Sequence, residues 1–157
     1  MSSQKYGLFA AGDNSYHQIF DGQRVAPRFQ FCKELKIPYY QILQIIAWND
    51  SFAILRCDNS ILYRNKNSDI TVIHPSNQLI RIQFYANSII GLDTLGYLIK
   101  IDVDTLTEEK ISDYQFQTFS SSQKYIIGIT SDSKKESILF TTNDSDPKLI
   151  IENTIAV

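Results

Sequence analysis

His17, His74, Cys32, Cys57 and two aspartate pairs are the residues whose chemistry would count for most in an active site. The histidines could act as general bases, but neither stands in a motif with a serine or cysteine nucleophile. His17 reads as a loop residue, and His74 as the polar end of a strand from Ile70. Two cysteines are too few for a disulfide framework and lie at no zinc-ligand spacing. Cys57 alternates with apolar neighbours in a strand-like run and reads as a buried, reduced thiol. Asp102 with Asp104, and Asp144 with Asp146, could share a cation if a loop curled them together. A calcium loop of the helix-loop-helix type also needs a glycine and a later glutamate, so solvation of turns is the plainer reading. The sequence has no glycine-rich phosphate loop, no GxSxG elbow and no HExxH helix. The expectation is a protein that is not an enzyme and uses no cofactor and no metal.

Composition narrows the partners. The chain has 157 residues, of which 43% are hydrophobic, with 9 Tyr and 9 Phe, enough for one domain with a substantial core. Its 15 basic and 17 acidic residues give a net charge of -2 and are spread along the chain rather than blocked. No concentrated basic patch is present for gripping phosphates, which argues against direct nucleic-acid binding. Lys134 and Lys135 read as a solvated turn. The N-terminal stretch lacks the long apolar core of a signal peptide, and no run approaches the roughly 20 apolar residues that cross a bilayer. Asn49-Asp50-Ser51 and Asn143-Asp144-Ser145 then read as chance matches to a glycosylation acceptor, and the expected location is cytoplasmic or nuclear, with no membrane contact.

The elements that must position any site are set by a repeat. Residues 45–59, 82–96 and 119–133 align without a gap at a constant offset of 37. Ile45 falls on Ile82 and Phe119, Phe52 on Ile89 and Ile126, Leu55 on Leu92 and Ile129, and Asn59 on Gly96 and Ser133. A repeat of this length is one supersecondary unit that buries its apolar face only by stacking on its neighbours.

Inside each copy, short runs of Ile, Leu, Tyr and Phe are stopped by Asn, Asp, Ser or Gly, the pattern of strands separated by tight turns. The first copy predicts strands over Ile42 to Ala47, Ser51 to Arg56 and Ile61 to Arg64, with a further strand over Ile70 to His74. The second predicts Leu79 to Tyr85, Ser88 to Asp93 and Tyr97 to Val103. The third predicts Tyr114 to Phe119, Lys124 to Thr130 and Ser137 to Thr141, closed by Lys148 to Glu152. Gly96 ends a turn that calls for a positive φ, and Gln30 to Lys36 could hold one short helical turn. The predicted fold is all-β: a β-propeller-like stack of about three to four antiparallel blades in an incomplete ring, with a sandwich as the competitor. It forms a single repeat domain over 1–157, with a signature strand and loop at 6–22 and repeat units at about 40–76, 77–113 and 114–152.

The strand, turn and strand pattern from Ile45 to Tyr63, and above all residues 8–20 (LFAAGDNSYHQIF), resemble the repeat of the regulator of chromosome condensation family. Gly12, Asn14 and Gln18 stand at that family's signature places, with Ile19 for its Leu and with His17 and Phe20 replacing two glycines. The glycine permits a tight path, and the asparagine can bond backbone groups that a loop leaves unpaired. The later copies keep the strand pattern without the signature. The resemblance implies a β-propeller scaffold, seven-bladed in the family, that binds partner proteins through its loops.

Three blocks are about half such a ring, so the open flanks predict a partner protein or self-association, with completion by another chain, by a second copy or by further sequence. The function expected is a protein-interaction scaffold. The alternatives are a structural subunit of a large assembly, or nucleotide exchange on a small GTPase, the family's best-known activity. The candidate interaction or loop-structuring residues are Gly12, Asn14, Tyr16, His17 and Gln18 in the signature segment, and Tyr39 and Tyr40 after Pro38. Trp48, matched by Tyr85 and Ser122, is expected in the core.

Overall fold

The structure, a computed structural model, describes residues 9–13, 25–31, 41–65, 69–132, 136–141 and 148–151. These residues hold fourteen strands, all paired antiparallel, in four sheets, with no α-helix among them. The chain divides into two compact units, residues 1–74 and 75–157.

In the first unit, β1 (Phe9–Asp13) pairs with β2 (Val25–Phe31) in a two-stranded sheet that sets Gly12 opposite Ala26. The helical turn expected over Gln30 to Lys36 is not formed at its start, because Gln30 and Phe31 belong to β2 and pair with Ala10 and Phe9. The rest of that turn, and the whole signature loop after Asp13, lie outside the described residues. The unit's second sheet is the first blade, a meander of β3 (Ile42–Trp48), β4 (Ser51–Arg56), β5 (Ile61–Asn65) and β6 (Thr71–Ile73).

The second unit holds two more meanders. Blade 2 is β7 (Leu79–Tyr85), β8 (Ser88–Asp93), β9 (Leu98–Asp102) and β10 (Glu108–Lys110). Blade 3 is β11 (Phe116–Ser121), β12 (Tyr125–Thr130), β13 (Ser137–Thr141) and β14 (Lys148–Ile151). Nearly every strand expected from the repeat forms within two residues of its expected ends. β2 and β10 form where no strand is expected; β10 carries no apolar residue, and Glu108, Glu109 and Lys110 are all exposed at the blade's outer edge. Charge on an edge strand leaves no apolar signal and discourages edge-to-edge pairing with another sheet.

The 37-residue offset extends to backbone irregularities. The first strand of each blade shifts register at the same place, between Ile42 and Gln44, Leu79 and Arg81, and Phe116 and Thr118. A bulge re-aims the residue it adds, which explains why Leu43 and Ile80 are exposed at equivalent positions. Gly96 takes a φ of 90°, as the turn requires, and its matched residue Asn59 takes 65°. The two-residue hairpins after β3 and β7 begin with Asn49 and Ala86 at φ of 50° and 49°. Positive φ at this place suits the twist of tight hairpins.

Blades 2 and 3 pack on one another. Ile90, Leu92, Leu98 and Tyr85 meet Phe116, Phe119, Ile126, Ile138 and Phe140 in one buried cluster. Phe116 and Phe140 meet edge to face, with centroids 5.9 Å apart. The seam is stitched by polar contacts from the first strands. Arg81 donates to the Thr118 hydroxyl at 2.7 Å, the Ser121 amide donates to Gln83 Oε1 at 2.6 Å, and the Phe116 amide donates to the Gly96 carbonyl at 2.7 Å.

The cluster depends on small residues in the second strand. A Cβ built on Gly91 would lie 2.6 Å from Leu79 Cδ1, and one on Gly128 would overlap the ring of Phe116. β8 is buried at all six positions, whereas β12 alternates and leaves Tyr125 and Ile127 at 50% and 41% exposure. Replacing Gly128 with Ala should cost about 1 to 3 kcal/mol in denaturant unfolding by forcing Phe116 aside. Adding Phe116→Leu should recover part of that loss, and strictly additive losses would contradict the nesting.

Candidate interaction site at the strand ends

Each blade has one end built by the same bonds. The residue before the first strand is glutamine every time, Gln41, Gln78 and Gln115, at the 37-residue offset. Its carbonyl accepts the amide of the residue that follows the second strand: Cys57 at 2.9 Å, Thr94 at 3.0 Å and Ser131 at 2.8 Å. The preceding residue closes the next turn, with Arg56 donating its amide to Ser60, Asp93 to Tyr97 and Thr130 to Glu136. This clasp fixes the position of three side chains per blade at the chain's turns, where a repeat protein is free to vary.

The three ends differ in what they place on the clasp. In blade 1, the Arg56 guanidinium reaches Gln41 Oε1 and Asp58 Oδ2, both at 3.1 Å, and Ser60 Oγ at 3.4 Å. Asp58 accepts the Ser60 hydroxyl at 2.6 Å and its amide at 3.0 Å. Those bonds, the hydroxyl first, then the amide, together with the charge of Arg56, hold the Asp58 carboxyl below its ordinary value.

In blade 2, Asp93 is 1% exposed and ties its own turn together. It accepts the amides of Leu95 and Tyr97 at 2.9 Å and 2.8 Å and the Asn77 side chain at 2.9 Å. In blade 3, the Thr130 hydroxyl donates to Asp132 Oδ1 at 2.7 Å and accepts the Glu136 amide at 2.9 Å.

Two of these ends are open depressions. One of about 300 Å3 is lined by Gln41, Arg56, Cys57 and Asp58. The other, of about 420 Å3, is lined by Tyr97, Asp113, Tyr114, Gln115, Thr130, Ser131 and Asp132. At the blade 3 depression, Lys110 lies 4.6 Å from the Tyr97 ring centroid and 2.5 Å from Asp113 Oδ1. That hydrogen bond raises the Lys110 ammonium above its usual value and lowers Asp113. Tyr114 stands at the rim, 46% exposed.

Among the described residues no three His, Cys, Asp or Glu side chains gather as metal ligands. Asp102 caps a turn by accepting the amides of Asp104 and Thr105 and the Thr105 hydroxyl, bonds that lower the pKa of its carboxyl, the Thr105 amide first.

The candidate residues of the signature segment are mostly beyond view. Gly12 lies in β1, and Asn14, Tyr16, His17, Gln18, Tyr39 and Tyr40 lie outside the described residues, as do Cys32, Lys134, Lys135, Asp144 and Asp146. Two expectations are overturned. Cys57 is exposed, because the run it ends has already turned at Arg56. Trp48 is 43% exposed where its counterpart Tyr85 is buried, so it is no core residue. His74 is exposed just beyond β6. The glutamine triplet escaped the sequence reading because it precedes the aligned block, yet its spacing alone would have exposed it.

No protein-family model matches the sequence, and neither does any curated protein. Solved structures do match in fold. The N-terminal domain of Nup159 superposes with a TM-score of 0.62 at 13% identity, over 96% of this chain and 40% of that one. Human WBSCR16 gives 0.68 at 11%, over 94% and 48%. A chain of the S. cerevisiae Dbp5 complex with Nup159, Gle1, IP6 and ADP gives 0.63 at 13%, over 96% and 40%. These are propeller-type folds, and the chain here is built of β-propeller blades in the same way. It spans less than half the length of each of these three chains.

The Asp58 turn supplies a pH test. Because its folded pKa is depressed, the turn's contribution to stability is complete above the ordinary carboxylate value, about 4. It is lost as pH falls through the lower folded value. In an NMR titration Asp58 should therefore titrate below that value, and Ser60→Ala should move it upward; an unmoved midpoint would contradict the bond's role.

Proposed function

We propose that this chain is a non-enzymatic protein-interaction scaffold of propeller blades whose partner docks at the strand-end turns. The observation that carries the reading is the repeated clasp with an open depression at the same end of blades 1 and 3. A constant backbone frame holds variable polar and aromatic side chains, the arrangement expected where a fold presents recognition groups rather than chemistry. The resemblance of residues 8–20 to the regulator of chromosome condensation repeat agrees with this, since that family binds partners through loops. The dispersed charge and the lack of a basic patch favour a protein over nucleic acid. Cytoplasm or nucleus is the compartment proposed.

A second reading, a structural subunit of a larger assembly, is favoured by the outer face of β12. Tyr125 and Ile127 sit at the register of Ser88 and Ile90, which blade 2 buries. An apolar blade face left open in this way suits permanent burial against a neighbour. Nucleotide exchange on a small GTPase has no residue-level support here.

Capture from native extract separates the readings. Tyr114→Ala with Ser131→Lys should weaken partner capture at least about tenfold, the effect of losing a central contact. Its unfolding free energy should stay within about 1 kcal/mol of the parent. Capture that survives this variant but is lost in Ile127→Asp would favour the assembly and contradict the strand-end site. Acceleration of nucleotide release from a small GTPase would contradict both.

A further inference from the structure

Blades 1 and 3 carry two versions of one cleft. Gln41, Arg56, Cys57 and Asp58 line the first, and the residues 74 positions on, Gln115, Thr130, Ser131 and Asp132, line the second. The backbone bonds that shape them are the same. Glutamine and aspartate are kept, and serine stands for cysteine. The one large change is Arg56 to Thr130.

In blade 1 the cleft is filled from within, since the Arg56 guanidinium sits on Gln41 and Asp58 at 3.1 Å each. In blade 3 the short Thr130 side chain stays inside its own turn, bonded to Asp132 and Glu136. We infer that the blade 3 cleft receives a guanidinium from outside: an arginine side chain of a partner protein, seated on Gln115 and Asp132 as Arg56 is on Gln41 and Asp58. This deepens the interaction reading above and rests on it for the identity of the donor as a protein.

The chemistry fits arginine in particular. In blade 1 one guanidinium nitrogen meets both the Gln41 amide oxygen and the Asp58 carboxylate while the other meets Ser60, a planar spread of donors that a lysine ammonium does not match. A carboxylate offers about four acceptor sites, so Asp132 accepts the guanidinium beside the bonds it already makes, the Thr130 hydroxyl among them. Tyr97 and Tyr114 add aromatic side chains to the walls. The cleft already tolerates a cation, because the chain's own Lys110 lies against Tyr97 and Asp113. That pair balances Asp113 from within and leaves recognition to Gln115 and Asp132.

The test is an NMR titration of the whole chain with agmatine, which carries a guanidinium and an ammonium on one short alkyl chain, and with cadaverine, which carries two ammonium groups, as the control. Agmatine should shift the amides of Gln115, Ser131 and Asp132 saturably, with a Kd on the order of 1 mM for so small a contact. Cadaverine should bind more weakly, and Asp132→Asn should weaken agmatine about tenfold. Arg56→Thr should open the blade 1 cleft and add a second set of shifts at Gln41 and Cys57, a gain that misfolding cannot imitate. Amides that stay still, or that respond equally in Asp132→Asn, would overturn the inference. Partner capture lost in the Tyr114 and Ser131 variant without any agmatine response would keep the interaction face and remove the arginine. An agmatine response with capture unaffected would do the reverse.

Discussion

The ring of Phe116 occupies the space that a side chain at residue 128 would need, and the pairing of blades 2 and 3 follows from that. With glycine at 128, the first strand of blade 3 lays its aromatic residues into the seam, where Phe116 and Phe119 meet Ile90, Leu92 and Leu98. Gly91 does the same for Leu79 within blade 2. A four-stranded repeat unit cannot bury its apolar face alone, so blades 2 and 3 depend on one another for a core. Arg81 and Gln83 then fix the lateral register of the seam through Thr118 and Ser121. Burial also raises the Tyr85 hydroxyl's pKa at one end of that seam.

What the repeat keeps and what it varies divide cleanly. Backbone features recur at the 37-residue offset: the bulge in the first strand, the positive φ of Asn49 and Ala86 and of Asn59 and Gly96, and the glutamine clasp. Side chains on the clasp change from Arg56 to Asp93 to Thr130, each with a different way of satisfying its turn. Such a division lets one frame carry three local chemistries at no cost to packing.

The strands were legible because period, branched residues and turn residues all agreed over the three blocks. β10 was not, since an exposed edge strand of Glu, Glu and Lys has no apolar face to betray it. Cys57 and Trp48 misled for a related reason: apolar character at the end of a run says little about whether the chain has already turned to solvent. The strand-end site was hidden more deeply. Gln41, Gln78 and Gln115 act through their carbonyls, which no side-chain motif advertises. The depressions form only when residues some fifteen positions apart meet across the first two strands, as Gln115 and Ser131 do.

Hydrogen exchange on the chain alone and in its captured complex tests the central claim most directly. The account predicts new protection at the turn amides of residues 94–97, 113–115 and 131–132, with β12 unchanged. Protection confined to residues 125–129, or none at the strand ends, would contradict it.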